Sequence, residues 1–403
     1  MKQRAAGPGK PSAPSAFDRG LALHQRGRLD EAEQVYREIL KRTPDHFDAL
    51  HLLGVIAGQT HRFDEAQALL TRALAQRPEH APALNNLGNT LGSLGRHREA
   101  VQAFERALAV RPEDAKTLRN RGTSLRALER PVEALASFDA ALALQPAYSE
   151  ALIGRAECLL ALHRRAQAIE AFQKALALGK DTEQIRYALA ALGEGAMPST
   201  APPDYVEALF DMYAHNFDEH LVKTLGYRTP ELLAAELGRA NPPASSDIID
   251  LGCGTGLCGP LLRPLARRLV GVDLSGLMLA KARELGTYDE LVQGEIAAVL
   301  AERPQGFDIA VAADVFVYLG DLDATFAATA AALRPGGLFA FSVEACEDGD
   351  FRLGPTRRYA HSLAYLQRLA DAHGLLLESS QRCTIRKEND QSVDGLLLVL
   401  RRP

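Results

Sequence analysis

The sequence predicts two folds in one chain: an all-α solenoid of stacked helix pairs, then an α/β doubly wound sheet of seven strands with an antiparallel last strand. Three observations carry this. A 34-residue period runs through the first half, marked by Pro44, Pro78, Pro112 and Pro146 and by Gly20, Gly54, Gly88 and Gly122. Apolar strand-like runs alternate with amphipathic stretches from Asp247 to the end. Between them lies one strong cluster of chain breakers, Gly193-Glu-Gly-Ala-Met-Pro-Ser-Thr-Ala-Pro-Pro203. The boundaries that follow are a disordered tail over residues 1–13, a solenoid over 14–195 (five repeats plus a capping helix), a linker over 196–204 and an α/β domain over 205–403.

Each repeat position has a physical role. Small residues recur at Ala32, Ala66, Ala100, Ala134 and Ala168, each followed four residues later by a large one: Tyr36, Leu70, Phe104, Phe138 and Phe172. Gly and Ala let two antiparallel helices approach closely, and the large residue fills the space left. The proline ends the second helix, because it has no N–H and clashes with the preceding turn. The fifth unit departs from the pattern, with Ala156 in the glycine position and Lys180 in the proline position, as an end unit does. Asp181 to Leu192 reads as a further amphipathic helix that caps the stack. The whole pattern resembles the tetratricopeptide repeat. The resemblance implies a groove lined by the first helix of each unit, and it would place Asn86, Asn89, Asn120 and Thr123 there. A carboxamide both donates and accepts, which suits the backbone of a protein or peptide partner; the alternative is that these residues only solvate a polar face.

Composition excludes several classes. With 46 Lys and Arg against 51 Asp and Glu, the net charge is −5, so no nucleic-acid-binding surface is evident. No apolar run is long enough for a membrane helix, and the basic N-terminus lacks the apolar core of a secretory signal. Five scattered cysteines without metal-ligand spacing fit free thiols in a cytoplasmic protein and give no metal site.

In the second half, Tyr205 to Leu225 reads as a helix rich in aromatics, either a core face or a lid. Ile248, Ile249 and Leu251 form the first strand; Gly252, Gly254 and Gly256 follow at alternate positions, and Leu257 to Arg267 reads as a helix. Arg268 to Asp273 is the second strand. Ser275 N-caps a helix to Leu285. Strands over Glu290–Gly294, Phe307–Asp314 and Leu338–Val343 alternate with helices over Glu295–Ala301 and Asp321–Leu333, the last stopped by Arg334-Pro-Gly-Gly337. A helix over Ser362–His373 precedes a closing hairpin, Leu375–Arg386 and Val393–Leu400, turning at Glu388-Asn-Asp390.

Strand, glycine turn and helix start make a nucleotide cradle: the backbone can turn sharply and a ligand can come close. Gly254-Thr-Gly-Leu-Cys-Gly259 also satisfies the dinucleotide fingerprint, with Asp273 at a distance suited to a ribose. Against a dehydrogenase stand Asp250, an acid directly before the glycines and suited to a ligand ammonium, and the antiparallel hairpin after the Pro-Gly-Gly turn.

The successive motifs Asp250-Leu-Gly-Cys-Gly-Thr-Gly256, Val272-Asp-Leu-Ser-Gly-Leu-Met278 and Leu333-Arg-Pro-Gly-Gly337 resemble those of class I S-adenosylmethionine-dependent methyltransferases, a Rossmann-like fold. Together with the repeats, the architecture resembles a bacterial group of repeat-containing methyltransferases. The resemblance implies S-adenosyl-L-methionine as cofactor. It implies that Asp250, Gly252, Gly254 and Gly256 hold the aminoacyl part and that Asp273 holds the ribose. Leu274 and Met278 would flank the adenine, Glu295 would meet its edge, Asp314 would lie beside the methionine end, and Tyr213 and Phe217 would cover the ligand. Methyl transfer needs a base only when the acceptor must lose a proton. Acceptor-side candidates are Glu344, the segment Arg358-Tyr-Ala-His-Ser362 with Tyr365, and Arg386-Lys-Glu388. His361 is the candidate base, or else a residue bonding to backbone at a helix start. Arg386 and Glu388 read as an ion pair on a strand end. For a carboxylate acceptor, an arginine would matter more than a base.

Overall fold

The computed structural model describes residues 15–179, 182–213, 227–388 and 391–403. The tail, Phe217 and the turn residues Asn389 and Asp390 lie outside the described residues, as do the side chains of Tyr213 and Glu388. The chain divides into two compact units, Met1–Lys180 and Asp181–Pro403.

The first unit is five helix pairs. The first helices are α1 (Ala16–Gln25), α3 (Phe47–Gln59), α5 (Ala81–Ser93), α7 (Ala115–Ala127) and α9 (Ser149–Ala161). Each is followed by its partner: α2 (Leu29–Arg42), α4 (Phe63–Gln76), α6 (His97–Val110), α8 (Pro131–Leu144) and α10 (Arg165–Ala177). Helices α2, α4, α6 and α8 each end two residues before a periodic proline. All five periodic alanines are fully buried. The large residue packs on the glycine of its own pair: a Cβ on Gly88 would lie 2.5 Å from the Phe104 ring. Phe138 reaches further and also meets Gly154 of the next pair, where a Cβ would lie 2.4 Å from its ring.

The second unit begins with α11 (Thr182–Ala191), which the sequence reading had assigned to the solenoid. Its Tyr187 is fully buried, donates its hydroxyl to the Arg357 carbonyl at 2.6 Å and lies 5.5 Å and 6.1 Å from the rings of Tyr205 and Tyr359. The segment expected as a linker is likewise part of this unit. Gly320 and Asp321 both donate their N–H to the Ser199 carbonyl at 2.8 Å, and Ala201 N–H donates to the Tyr318 carbonyl at 2.9 Å. Then come α12 (Pro203–Tyr213) and α13 (Thr229–Arg239).

The sheet is built from β1 (Ser246–Leu251), β2 (Ala266–Asp273), β3 (Glu290–Gln293), β4 (Phe307–Ala312), β5 (Leu333–Ala345), β6 (Phe351–Leu353), β7 (Tyr359–His361), β8 (Leu376–Glu388) and β9 (Gln391–Arg401). Strands β3-β2-β1-β4-β5 are successive neighbours, and β5 pairs on with both β7 of the β7–β6 hairpin and β9 of the β9–β8 hairpin, β9 being antiparallel to both of its neighbours. Seven strands with an antiparallel closing hairpin are what the sequence predicts. The sequence reading did not foresee the β6–β7 hairpin, which attaches where Glu344 and Ala345, beyond the end of β4, pair with Ala360 and His361. Helices α14 (Gly259–Leu262), α15 (Gly276–Leu285), α16 (Ile296–Ala301), α17 (Asp323–Ala332) and α18 (Leu363–Ala372) connect the strands. Side chains of β1 alternate between two cores, Ile249 and Leu251 on one face and Ile248 on the other, so both faces are covered. The helix expected over Leu257–Arg267 is a single turn, α14. Pro264 has no N–H and clashes with the carbonyl of Pro260, so the turn cannot continue.

Candidate active site

The strand order reverses between β1 and β4, and ligands in such sheets bind outside the carboxyl ends at that point. There the chain after β1 makes three left-handed steps, with φ of +68° at Gly252, +54° at Gly254 and +95° at Gly256. A side chain would be strained at each, and at Gly252 it would also collide, with a Cβ 2.4 Å from Val315 Cγ2. The loop is tied to β2 by Asp273, whose Oδ2 accepts the Gly254 N–H at 2.8 Å and whose Oδ1 accepts the Ser275 N–H at 2.9 Å. Burial raises the Asp273 carboxyl above its ordinary range, against the lowering effect of those N–H groups. Ser275 N-caps α15 as expected, accepting from Met278 N–H at 3.1 Å, and donates its hydroxyl to Asp211 of α12 at 2.6 Å.

Asp250 sits on the same strand end, 1% exposed. The Tyr288 hydroxyl donates to its Oδ2 at 2.6 Å, while its Oδ1 has no hydrogen-bond partner among the described residues. Burial pushes its carboxyl up to about 7; the Tyr288 hydrogen bond opposes this and the charge of Asp273 adds to it.

Two adjoining cavities open at these strand ends. The larger, about 460 Å³, is bounded by Asp273, Leu274, Glu295 and Ile296 on one side and by the strap Ser199–Ala201 on the other. The smaller, about 110 Å³, is bounded by Gly254, Thr255, Tyr227, Asp314 and Arg358. Gly252, Asp273, Val315 and Tyr318 border both. Of the predicted cofactor residues, the structure therefore brings together Gly252, Gly254, Asp273, Leu274, Glu295 and Asp314. Met278 is fully buried and, like Asp250 and Gly256, borders neither cavity. Glu295 N-caps α16, accepting from Ala297 and Ala298 N–H at 3.1 Å and 2.9 Å, so its carboxylate is already engaged.

Behind Asp314, Arg386 is 2% exposed and spans two acids. Its Nη1 donates to both Asp314 oxygens at 3.0 Å, and its Nη2 bonds Glu344. Arg386 and Glu344 thus join Asp314 in one buried ion triad, where the sequence suggested Glu388 as the arginine's partner. Asp314 itself has φ +58°, strained for a residue with a side chain.

His361 is not placed to act as a base. It is fully buried in β7, donates Nε2 to the Gly320 carbonyl at 3.0 Å and stacks on Tyr365, while burial pushes it down to about 4. It borders neither cavity and pins the β6–β7 hairpin to the loop after β4. Sequence reasoning missed the strap, Tyr318 and Tyr288, because nothing local marks a residue that long-range pairing delivers.

In the repeats, only Asn89 and Thr123 of the four groove candidates are exposed. Asn120 is buried and donates to Asn85 Oδ1 at 2.9 Å, and Asn86 bonds His51 Nε2 at 2.9 Å. Asn120 and Asn85 thus satisfy each other in the interior, while the half-buried Asn86 is engaged by His51.

The class of domain that this doubly wound sheet and glycine loop belong to is given by comparison with known proteins. The methyltransferase-domain family profile matches residues 249–339, and tetratricopeptide-repeat profiles match residues 15–56, 45–113, 85–149 and 125–192. The chain therefore carries an N-terminal tetratricopeptide repeat region and a C-terminal methyltransferase domain. The trans-aconitate 2-methyltransferase of Paracidovorax citrulli is 33% identical over 140 residues, which is 34% of this chain and 52% of that protein. The malonyl-[acyl-carrier protein] O-methyltransferase of Halalkalibacterium halodurans is 32% identical over 146 residues, 34% of this chain and 54% of that protein. The chain spans about half the length of these curated relatives. Among solved structures, one of MamA covers 40% of the chain and 95% of its own, at 20% identity and a TM-score of 0.38. Among the described residues, no helix is long and apolar enough to cross a membrane, and no group of His, Cys, Asp and Glu is arranged to hold a metal.

Proposed function

We propose that the second unit transfers a methyl group from S-adenosyl-L-methionine to an acceptor that the repeats help recruit, a protein or peptide partner. One observation carries the donor assignment: a left-handed glycine loop tied to Asp273, beside a buried Asp250 with an oxygen that has no partner among the described residues. That residue set fits a cationic nucleoside bearing an amino-acid tail. A buried acceptor atom with no donor is costly and is relieved by a ligand ammonium. It fits a dinucleotide less well, because α14 is one turn long and offers a pyrophosphate no extended helix N-terminus.

The loop amides and Asp250 would hold the aminoacyl end. Asp273, each oxygen retaining an acceptor site, would hold the ribose hydroxyls. Leu274 and Ile296 would face the adenine, with Glu295 near its edge. The cofactor supplies a methyl group on a cationic sulfur. The protein's task is to align the acceptor with that carbon and exclude water, which the strap Ser199–Ala201 and the Phe210–Tyr318 pair, 5.4 Å apart, are built to do. Tyr213 and Phe217 remain proposed covers.

Calorimetric titration with S-adenosylhomocysteine tests the donor site, with NAD as control. For recruitment, the exposed Asn89 and Thr123 are the test positions: the double variant Asn89→Glu/Thr123→Glu should slow methylation of a protein fraction, and an unchanged rate would remove the repeats from acceptor choice.

A further inference from the structure

We propose that the exposed face of α7, in the repeat region, docks an extended acidic segment of a protein partner, held by Lys116, Arg119 and Arg126. This gives a chemistry to the partner that the repeats are read to recruit; the docking itself does not depend on methyl transfer.

Helix α7 is the first helix of the fourth pair. Lys116, Arg119, Thr123 and Arg126 follow one another at steps of three and four residues, so they form one stripe along it. Thr117, Asn120, Ser124 and Leu125 are buried on the other side, where the helix packs into the stack. Lys116, Thr123 and Arg126 are exposed and Arg119 is half-buried. The helical rise puts about 15 Å between Lys116 and Arg126. An extended chain covers that length in about five residues.

The repeat fold does not call for these charges. Helix α7 touches α5 on one side and α9 on the other. At the equivalent positions, 34 residues before and after, Lys116 is replaced by Pro82 and Glu150, and Arg126 by Gly92 and Leu160. Basic residues that the fold does use behave differently. Arg28, Arg62, Arg96 and Arg130 recur at 34-residue steps, and each pairs with the Glu three residues on. Lys116, Arg119 and Arg126 form no ion pair among the described residues, and α7 itself carries no acid. Residues 15–179 hold 22 Lys and Arg against 20 Asp and Glu, so three unmatched cations in one stripe are a local excess in a nearly balanced region. Arg119 is held in place: its Nε donates to the Tyr148 hydroxyl at 3.1 Å, and its guanidinium lies 5.9 Å from the centre of that ring. A guanidinium has four further N–H donors, enough to keep the tyrosine and take a carboxylate.

The neighbouring helices decide the kind of occupant. Helix α5 has no charged residue, and its exposed Asn89 stands at the position equivalent to Thr123. Helix α9 has Glu150 and Glu157 at the positions equivalent to Lys116 and Thr123. A carboxylate-bearing segment is therefore attracted along α7, can use the carboxamide of Asn89 for its backbone, and is repelled by α9. The stripe is one helix wide, with Asp114 at its start and Glu150 beside it. A nucleic-acid backbone, charged along its whole length, meets those acids as well as the cations. A short run of Asp and Glu fits the stripe without reaching them.

The test uses the full-length protein and fluorescence anisotropy of a labelled peptide with a short Asp/Glu run, beside its Asn/Gln counterpart. Wild type should bind the acidic peptide at least about tenfold more tightly than the amide peptide. Lys116→Glu and Arg126→Glu should each weaken binding about 5- to 10-fold, since reversal replaces an attraction with a repulsion, and Arg126→Lys should stay within about threefold. Arg98→Glu, an equal change of net charge at an exposed position on α6, should stay within about twofold. The substituted side chains are exposed, so each variant should keep the wild-type circular dichroism spectrum. No preference for the acidic peptide, equal losses in Arg98→Glu and Arg126→Glu, or tighter binding of a single-stranded oligonucleotide than of the peptide overturns the proposal. If the peptide binds as expected but Lys116→Glu/Arg126→Glu methylates a protein fraction at the wild-type rate, the docking face stands and the recruitment reading fails.

Discussion

The two walls of the active-site cleft are assembled in opposite ways. The wall proposed to hold the methyl donor comes from one continuous stretch, Asp247 to Gly259, with Asp273 from the neighbouring strand. The facing wall gathers Ser199–Ala201, Asp314, Tyr318 and Arg386 from across the unit through strand pairing and buried charge. A local wall depends on backbone conformations that few residues adopt. A dispersed wall depends on partners that must all be present. The first kind should fail at single glycines, the second at single charges.

The largest effect should come from the dispersed wall. Arg386→Met leaves Asp314 and Glu344 without their counter-charge and should destabilise the protein by about 3–5 kcal/mol in urea unfolding. Adding Asp314→Asn and Glu344→Gln should recover most of that. A loss under about 1 kcal/mol would mean the triad does not organise this wall.

Next comes Asp250. Its carboxyl is raised from 3.8 to about 7 in the folded protein, so it supports folding below pH 4 and that support is lost as pH rises toward 7. Asp250→Asn should therefore gain on wild type between pH 4 and pH 8, by up to about 4 kcal/mol. Parallel pH dependence in the two proteins would show that the buried acid is not protonated at neutral pH.

On the local wall, Gly252→Ala adds a Cβ 2.4 Å from Val315 at φ +68° and should weaken S-adenosylhomocysteine binding about 100-fold, near 2.7 kcal/mol. The smallest effect should be Gly88→Ala in the repeats, where the added Cβ meets Phe104. Overpacking there should cost about 1–3 kcal/mol by thermal unfolding while leaving ligand affinity within about twofold. A large affinity change in Gly88→Ala would erase the distinction between a packing glycine and a ligand-loop glycine.

The same contrast explains what could be read from the sequence. Repetition made the solenoid legible, because every 34-residue unit restates Ala and a large residue in one register. Alternating β and α patterns gave the seven strands, and the glycine turn gave the donor loop, since each signal is local. The breakers at Gly193–Pro203 look like a free linker in the sequence, yet that chain is held by Tyr318 and Gly320. The catalytic role of His361 was misread because a histidine near a helix start looks the same whether it faces solvent or a carbonyl. Asn120 was misread for the same reason, its partner Asn85 lying one helix pair away. Arg386 was legible as a charge to be paired; its partners, 72 and 42 residues distant, were not.

The most direct test is calorimetric titration of S-adenosylhomocysteine into full-length wild type and Asp273→Ala. One-to-one binding by wild type, weakened at least about 30-fold in the variant by loss of two charge-assisted hydrogen bonds, is the expected result. No binding by wild type, or equal binding by both proteins, would contradict the assignment of the glycine loop and Asp273 to the methyl donor.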